Sequence, residues 1–252
     1  MTRALPWLIL LIGFLQPLSG ALEPVFGIGT AIGDATASTD APEQPLPAFF
    51  SIWGLIFLAY AGFGLAGILR PAAWFPKVGW PMLAAGLANI VWMLSAQLIV
   101  SQPLNFLLLA PIFAGAWIAS ARVQTLRASG NGMTLRAADA ASGLLAGWIS
   151  VATAISIPLT IRTFTGLAPT DFPWPMFWTA FAAACLAAWL FSTRVSRSLW
   201  FFGALGWGLL GVVLNNWLRT EMHLLAGMAA LGTATILLLR VTRPPKRFRS
   251  AA

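Results

Sequence analysis

The apolar positions of this chain gather into eight long runs, with the polar positions collected between them. The runs cover roughly residues 4–22, 47–69, 81–101, 103–121, 140–161, 175–193, 198–217 and 222–240. Each approaches the roughly 20 apolar residues that a helix needs to cross a bilayer. No segment alternates apolar and polar residues with period two, so the pattern predicts helices and not a β-barrel. The longest connection, 23–46, reads EPVFGIGTAIGDATASTDAPEQPL and is rich in Gly, Thr and Pro. The shortest, Ser101–Gln102–Pro103, predicts a tight hairpin between the third and fourth runs. The expected fold class is therefore an all-α polytopic membrane protein with about eight spans.

Composition agrees. The chain is 59% hydrophobic and only 9% charged, against about 25% charged in soluble domains. Charge then orients it. With eight spans, both termini share one side, and on it fall Arg3, Arg70, Lys77, Arg122, Arg127, Arg136, Arg194, Arg197, Arg240, Arg243, Lys246, Arg247 and Arg249. Only Arg162 and Arg219 fall opposite. Basic loops stay in the cytoplasm, so both termini are expected there. The expected location is the inner membrane of a bacterium. The net charge of +8 requires no nucleic acid; anionic lipid at the basic face accounts for it, with the tail RVTRPPKRFRS as the expected headgroup contact. The first run has a second reading. Arg3, the apolar stretch and the small residues Ser19, Gly20 and Ala21 also have the form of a signal peptide, whose cleavage would leave seven spans.

The interiors of the runs hold no Asp, Glu, Lys or Arg near their middles, where ion and proton pumps place ionisable groups. The single Cys185 lies within a run, and the only His, His223, stands at the start of the last one beside Glu221. Neither belongs to a cluster of metal-ligand spacing. No Ser or Thr has a His or acid placed to activate it. The expectation is a non-enzyme. Interior polarity is confined to amides and hydroxyls, among them Asn89, Ser95, Gln97, Asn105, Thr153, Ser156, Asn215 and Asn216. Interhelical hydrogen bonding is their ordinary role.

The 13 Trp divide into two sets. Trp7, Trp74, Trp80, Trp174, Trp200 and Trp217 lie near the ends of runs, at the depth of interfacial aromatic belts. Others lie deeper and in rows. Phe50, Trp53, Phe57, Tyr60 and Gly64 recur at intervals of three and four, and so share one helix face. Asn89 and Trp92 are one turn apart. Trp148, Ala152 and Ser156 form a third row, and Trp178, Phe181, Cys185 and Trp189 a fourth. Each row alone describes packing; several converging rows describe the lining of a site for a flat apolar ligand.

FFSIWGLIFLAY at 49–60, ANIVWMLS at 88–95 and GWISVATAIS at 147–156 stand in order on the second, third and fifth runs. They resemble the helix motifs of the TspO/MBR tryptophan-rich sensory (translocator protein) family. The Pro-rich PEQPLPAFF leading into the Ile52–Trp53 pair, with Tyr60 downstream, is similar to that family's entry into its second helix. The resemblance covers roughly residues 1–165 and implies a five-helix bundle there, followed by a three-helix extension over 166–252. It implies a porphyrin- or haem-type ligand lined by Trp53, Asn89, Trp92 and Trp148, with loop 23–46 as a lid. Ser156 stands where the family often has Asn. The implied function is an integral membrane sensor of a tetrapyrrole-like molecule, and a homodimer is compatible with it. Two other classes fit the residues: a secondary carrier for a small solute, and a non-catalytic assembly or scaffold subunit.

Overall fold

The computed structural model describes residues 3–32, 40–127, 130 and 132–242. Among them every regular element is helical. We label the long helices α1 (Leu5–Ser19), α2 (Ile52–Leu69), α3 (Phe75–Leu98), α4 (Gln102–Leu126), α5 (Met133–Thr165), α6 (Pro173–Leu190), α7 (Leu199–Leu218) and α8 (His223–Thr242). A 3-10 turn, Pro47–Ser51, leads into α2, and a short helix, Leu22–Phe26, follows α1. Six helices, α2 to α7, are long and apolar enough to cross a membrane. With them the chain is an integral, multi-pass membrane protein. The 15-residue α1 is about 22 Å long at 1.5 Å per residue. This is short of the roughly 30 Å hydrocarbon core, and the apolar part of α8 falls short as well. The described residues thus give six full-length spans and two shorter apolar helices.

Helix neighbours define two rings. The first closes through α1, α2, α5, α4 and α3, each packed on the next and α3 back on α1. The second runs through α5, α6, α8 and α7 and closes on α5. α5 is the wall common to both, which explains why it is buried almost continuously from Ala141 to Val151. Close approach depends on small residues. A Cβ at Gly64 would lie 2.5 Å from the Leu10 amide nitrogen, and one at Gly147 2.3 Å from the Phe201 carbonyl oxygen. In a membrane, where apolar burial does not separate helix from lipid, such backbone contact carries much of the association.

α5 begins seven residues before its apolar run because its first two turns are tied to neighbours. Thr134 Oγ1 donates to the Arg70 carbonyl at 3.1 Å, and Asp139 pairs with Arg127 at 2.5 Å. Arg122 Nη1 donates to the Lys77 carbonyl and Arg197 Nη2 to the Arg240 carbonyl. The bases assigned to one side by charge therefore meet at one end of the bundle. The tail from Arg243 onward, expected at lipid headgroups, lies outside the described residues.

α1 is a full member of the first ring. Leu5, Ile9, Ile12 and Gln16 are buried in it. Gln16 Oε1 accepts from Asn89 Nδ2 at 2.7 Å. Removing this segment as a signal peptide would open the ring.

Candidate functional site

The site lies at the end of the first ring opposite the arginines, where α2 and α4 begin and α3 approaches its end. Trp53 and Trp92 face each other with ring centroids 5.9 Å apart. Trp148 meets Trp53 edge-on at 6.2 Å and Phe50 edge-on at 5.4 Å. These four rings line a cavity with Gln102, Asn105, Leu109, Ala152, Ile155, Ser156 and Leu159. Its open volume is about 30 Å³, room for one water.

The polar lining is one-sided. Nε1 of Trp53, Trp92 and Trp148, Nε2 of Gln102 and Nδ2 of Asn105 are all buried without a hydrogen-bond partner. Asn105 spends its carbonyl oxygen on Ser95 Oγ at 3.2 Å. A buried indole N–H ordinarily finds an acceptor, and an unsatisfied buried donor costs about 1–3 kcal/mol. Five such donors belong to residues that line one cavity. None of the lining residues is charged.

Of the residues expected here, Phe50, Trp53, Trp92, Trp148 and Ser156 do line one cavity. Phe57 stacks on Trp53 from behind at 5.7 Å and is not in the lining. Tyr60 is turned toward α3, where its hydroxyl donates to the Met82 carbonyl at 3.1 Å. Asn89 is directed to Gln16 of α1. Gln102 and Asn105 were not legible as site residues. They sit one turn apart at the start of α4, and that spacing just after the hairpin is the only signal the sequence carries. The row on α6 is split: Trp178 and Trp189 face outward while Phe181 is buried. Trp7, Trp80, Trp174, Trp200 and Trp217 are exposed, as belt residues should be, whereas Trp74, expected with them, is half-buried against the core.

The loop expected as a lid is anchored at both of its described ends. Near its start, Glu23 N donates to Gln97 Oε1 at 3.2 Å and Thr30 N to the Gln97 carbonyl at 2.9 Å. Residues 33–39 lie outside the described residues. From Ala41 to Pro45 the chain is buried and docks on α7. Asn215 and Asn216 donate to the carbonyls of Ala41 and Pro42 at 3.2 and 2.6 Å, and Leu46 N donates to the Gly211 carbonyl at 3.1 Å. Trp207 Nε1 then holds the Phe49 carbonyl at 2.8 Å. This strap runs directly into Phe50 and Trp53, and none of its described residues lines the tryptophan cavity.

A family model described as "TSPO-like protein" matches residues 9–242. The chain belongs to the TSPO-like family. The match runs on through α6, α7 and most of α8. No curated protein and no solved structure matches the chain.

Proposed function

We propose that this TSPO-like protein is a membrane receptor for a flat aromatic molecule that carries hydrogen-bond acceptors, of the tetrapyrrole class. The ligand would stand among Trp53, Trp92, Trp148 and Phe50. The observation that carries the reading is the set of five buried, unpartnered N–H donors around one aromatic cavity. Aromatic faces would stack on the ring system, and the donors would meet carbonyl or carboxylate oxygens at its edge. A cavity of about 30 Å³ is far below the roughly 300–1,000 Å³ of occupied ligand sites, so binding requires the cavity to widen. The strap and the start of α2 are the elements that would give, because the strap enters α2 one turn before Trp53. Function is binding and not catalysis, with the basic end in the cytoplasm of a bacterial inner membrane and the tryptophan cavity toward the outside.

Titration of the detergent-purified chain with protoporphyrin, read by quenching of tryptophan fluorescence, tests this. Saturable quenching at micromolar ligand supports the reading; quenching that rises linearly without saturation contradicts it. The carrier reading gains support from solute flux in liposomes, and the scaffold reading from stability only in the presence of a partner.

A further inference from the structure

The first ring carries a much larger groove at its other end, among the basic residues. It lies where α1 begins and α2 turns into α3. Arg3, Trp7, Ile68, Ala72, Ala73 and Phe75 are among its walls. Its open volume is about 630 Å³, within the roughly 300–1,000 Å³ of ligand sites.

Glycine contacts give the register of the three helices. A Cβ at Gly13 would touch Ala61 and one at Gly64 would touch Leu10, so α1 and α2 run antiparallel. Gly79 and Gly86 meet Leu5 and Ile12 in the same way, so α1 and α3 run parallel. Continued to the helix ends, these registers bring Arg3, Arg70 and Lys77 to one level of the bundle. Arg3 is in the groove's lining, and Arg70 and Lys77 adjoin Pro71 and Pro76, which line it too. All three are exposed, and none of their side chains has a partner among the described residues. No carboxylate is in the lining, and Asp139, the one acid placed at this end, is paired with Arg127. α1 and α3 both begin here without a side-chain cap, so the positive ends of two helix dipoles add to the three cations.

The rest of the groove is apolar and continuous with the outer face of the ring. Trp7 leads to Leu11 one turn along α1, and Ile68 to Leu65 one turn back along α2; both leucines are exposed. In a bilayer acyl chains cover such a face. We propose that this groove is a binding site for a single anionic phospholipid. The phosphate stands among Arg3, Arg70 and Lys77, and one acyl chain runs past Trp7 and Ile68 toward Leu11 and Leu65. The site lies at the opposite end of the ring from the tryptophan cavity and is independent of the tetrapyrrole reading.

The test uses the full chain, purified in detergent with a C-terminal tag. Native mass spectrometry counts bound molecules during titration with dioleoyl-phosphatidylglycerol, dioleoyl-phosphatidylcholine or sn-glycerol 3-phosphate. One phosphatidylglycerol should bind at least about tenfold more tightly than phosphatidylcholine, since each basic side chain at an anionic headgroup is worth roughly fivefold. Arg3→Gln should weaken phosphatidylglycerol by about that factor of five and leave phosphatidylcholine unchanged. Arg194→Gln, which removes an exposed arginine at the same end of the second ring, should change neither. Filling the groove with Ala73→Phe, or with Ala72→Leu should the first variant not fold, should abolish the bound lipid with all three cations in place. Equal affinity for the two lipids, equal losses in Arg3→Gln and Arg194→Gln, or a lipid retained in the filled variant overturns the proposal. Glycerol phosphate bound as tightly as the lipid overturns it as well, because the groove would then serve a soluble anion.

Discussion

Glu43 Oε1 lies 3.1 Å from Nε of Arg162, and both side chains are buried. The partners are 119 residues apart in sequence. The pair locks the strap before α2 to the end of α5, the wall shared by both rings. Its two halves are not equivalent. Arg162 Nη1 also donates to the carbonyls of Ala168 and Asp171 while its Nη2 has no partner, whereas the only side chain bonded to the Glu43 carboxylate among the described residues is Arg162, and Oε2 is without a partner. Burial pushes the Glu43 carboxyl above its ordinary value of 4.5, and Arg162 draws it back less strongly.

Removing Arg162 should therefore cost far more than removing the charge of Glu43. Arg162→Met loses three charge-assisted contacts and leaves Glu43 alone in an apolar site; about 3–5 kcal/mol is expected. Glu43→Gln keeps the shape and leaves Arg162 its two carbonyls, so a change within about 1 kcal/mol is expected. Unfolding of both variants in the same detergent at neutral pH checks this. Equal losses would contradict the asymmetry.

The same imbalance fixes a pH dependence. A carboxyl whose folded value is raised binds its proton more tightly in the folded chain. Stability is then greatest below about pH 4.5 and declines as pH rises through the raised folded value. Part of the fall in unfolding midpoint across that window should vanish in Glu43→Gln. An identical pH profile in the parent and the variant would show that Glu43 is not its source.

Two glycines of α7 separate strap docking from helix propensity. A Cβ at Gly211 would lie 2.7 Å from Pro45 Cβ and 2.8 Å from Phe49 Cγ, while one at Gly203 meets nothing within 4 Å. Gly211→Ala should destabilise by about 1–3 kcal/mol, the usual cost of overpacking, and should weaken porphyrin binding by displacing the strap that leads into Phe50. Gly203→Ala should be neutral or stabilising by up to about 1 kcal/mol. Thermal unfolding and porphyrin titration of both variants make the comparison.

Topology has its own test. A reporter fused after Ala252 should be active in the cytoplasm, and one inserted near Ser38 should be active outside. Mass measurement of the purified chain should find α1 present, because Gln16 and Asn89 close the first ring. A mature chain starting at Leu22 would contradict that closure.

The helices were legible because an apolar run of span length has few other uses, and each of the eight runs became one helix, with ends up to seven residues from those of the run. Where polar residues continued a helix, as at Thr134 and Asp139 of α5, the runs fell short, since the partners Arg70 and Arg127 are on other helices. Trp53, Trp92 and Trp148 were picked out by the aromatic rows on their own helices and by the family resemblance, and the structure brings the three around one cavity. The amides were not. Asn89 and Asn105 look alike on apolar helices, yet one turns to Gln16 and the other lines the cavity, a choice set by which neighbour each helix faces. The strap was hidden for the same reason: Gly211, Asn215 and Asn216 receive it from about 170 residues away in the chain.

Porphyrin affinity of Trp53→Ala measured beside that of Trp7→Ala tests the tryptophan cavity most directly. Trp53 touches Trp92, Trp148 and Phe57, whereas Trp7 is 61% exposed. Losing the Trp53 ring removes stacking, buried area and one N–H donor, about 2–3 kcal/mol, or a roughly 30- to 150-fold weaker dissociation constant. Trp7→Ala should stay within about threefold of the parent. With both variants folded, an unchanged affinity in Trp53→Ala, or equal losses in the two, would contradict the assignment and leave the aromatic cluster as packing alone.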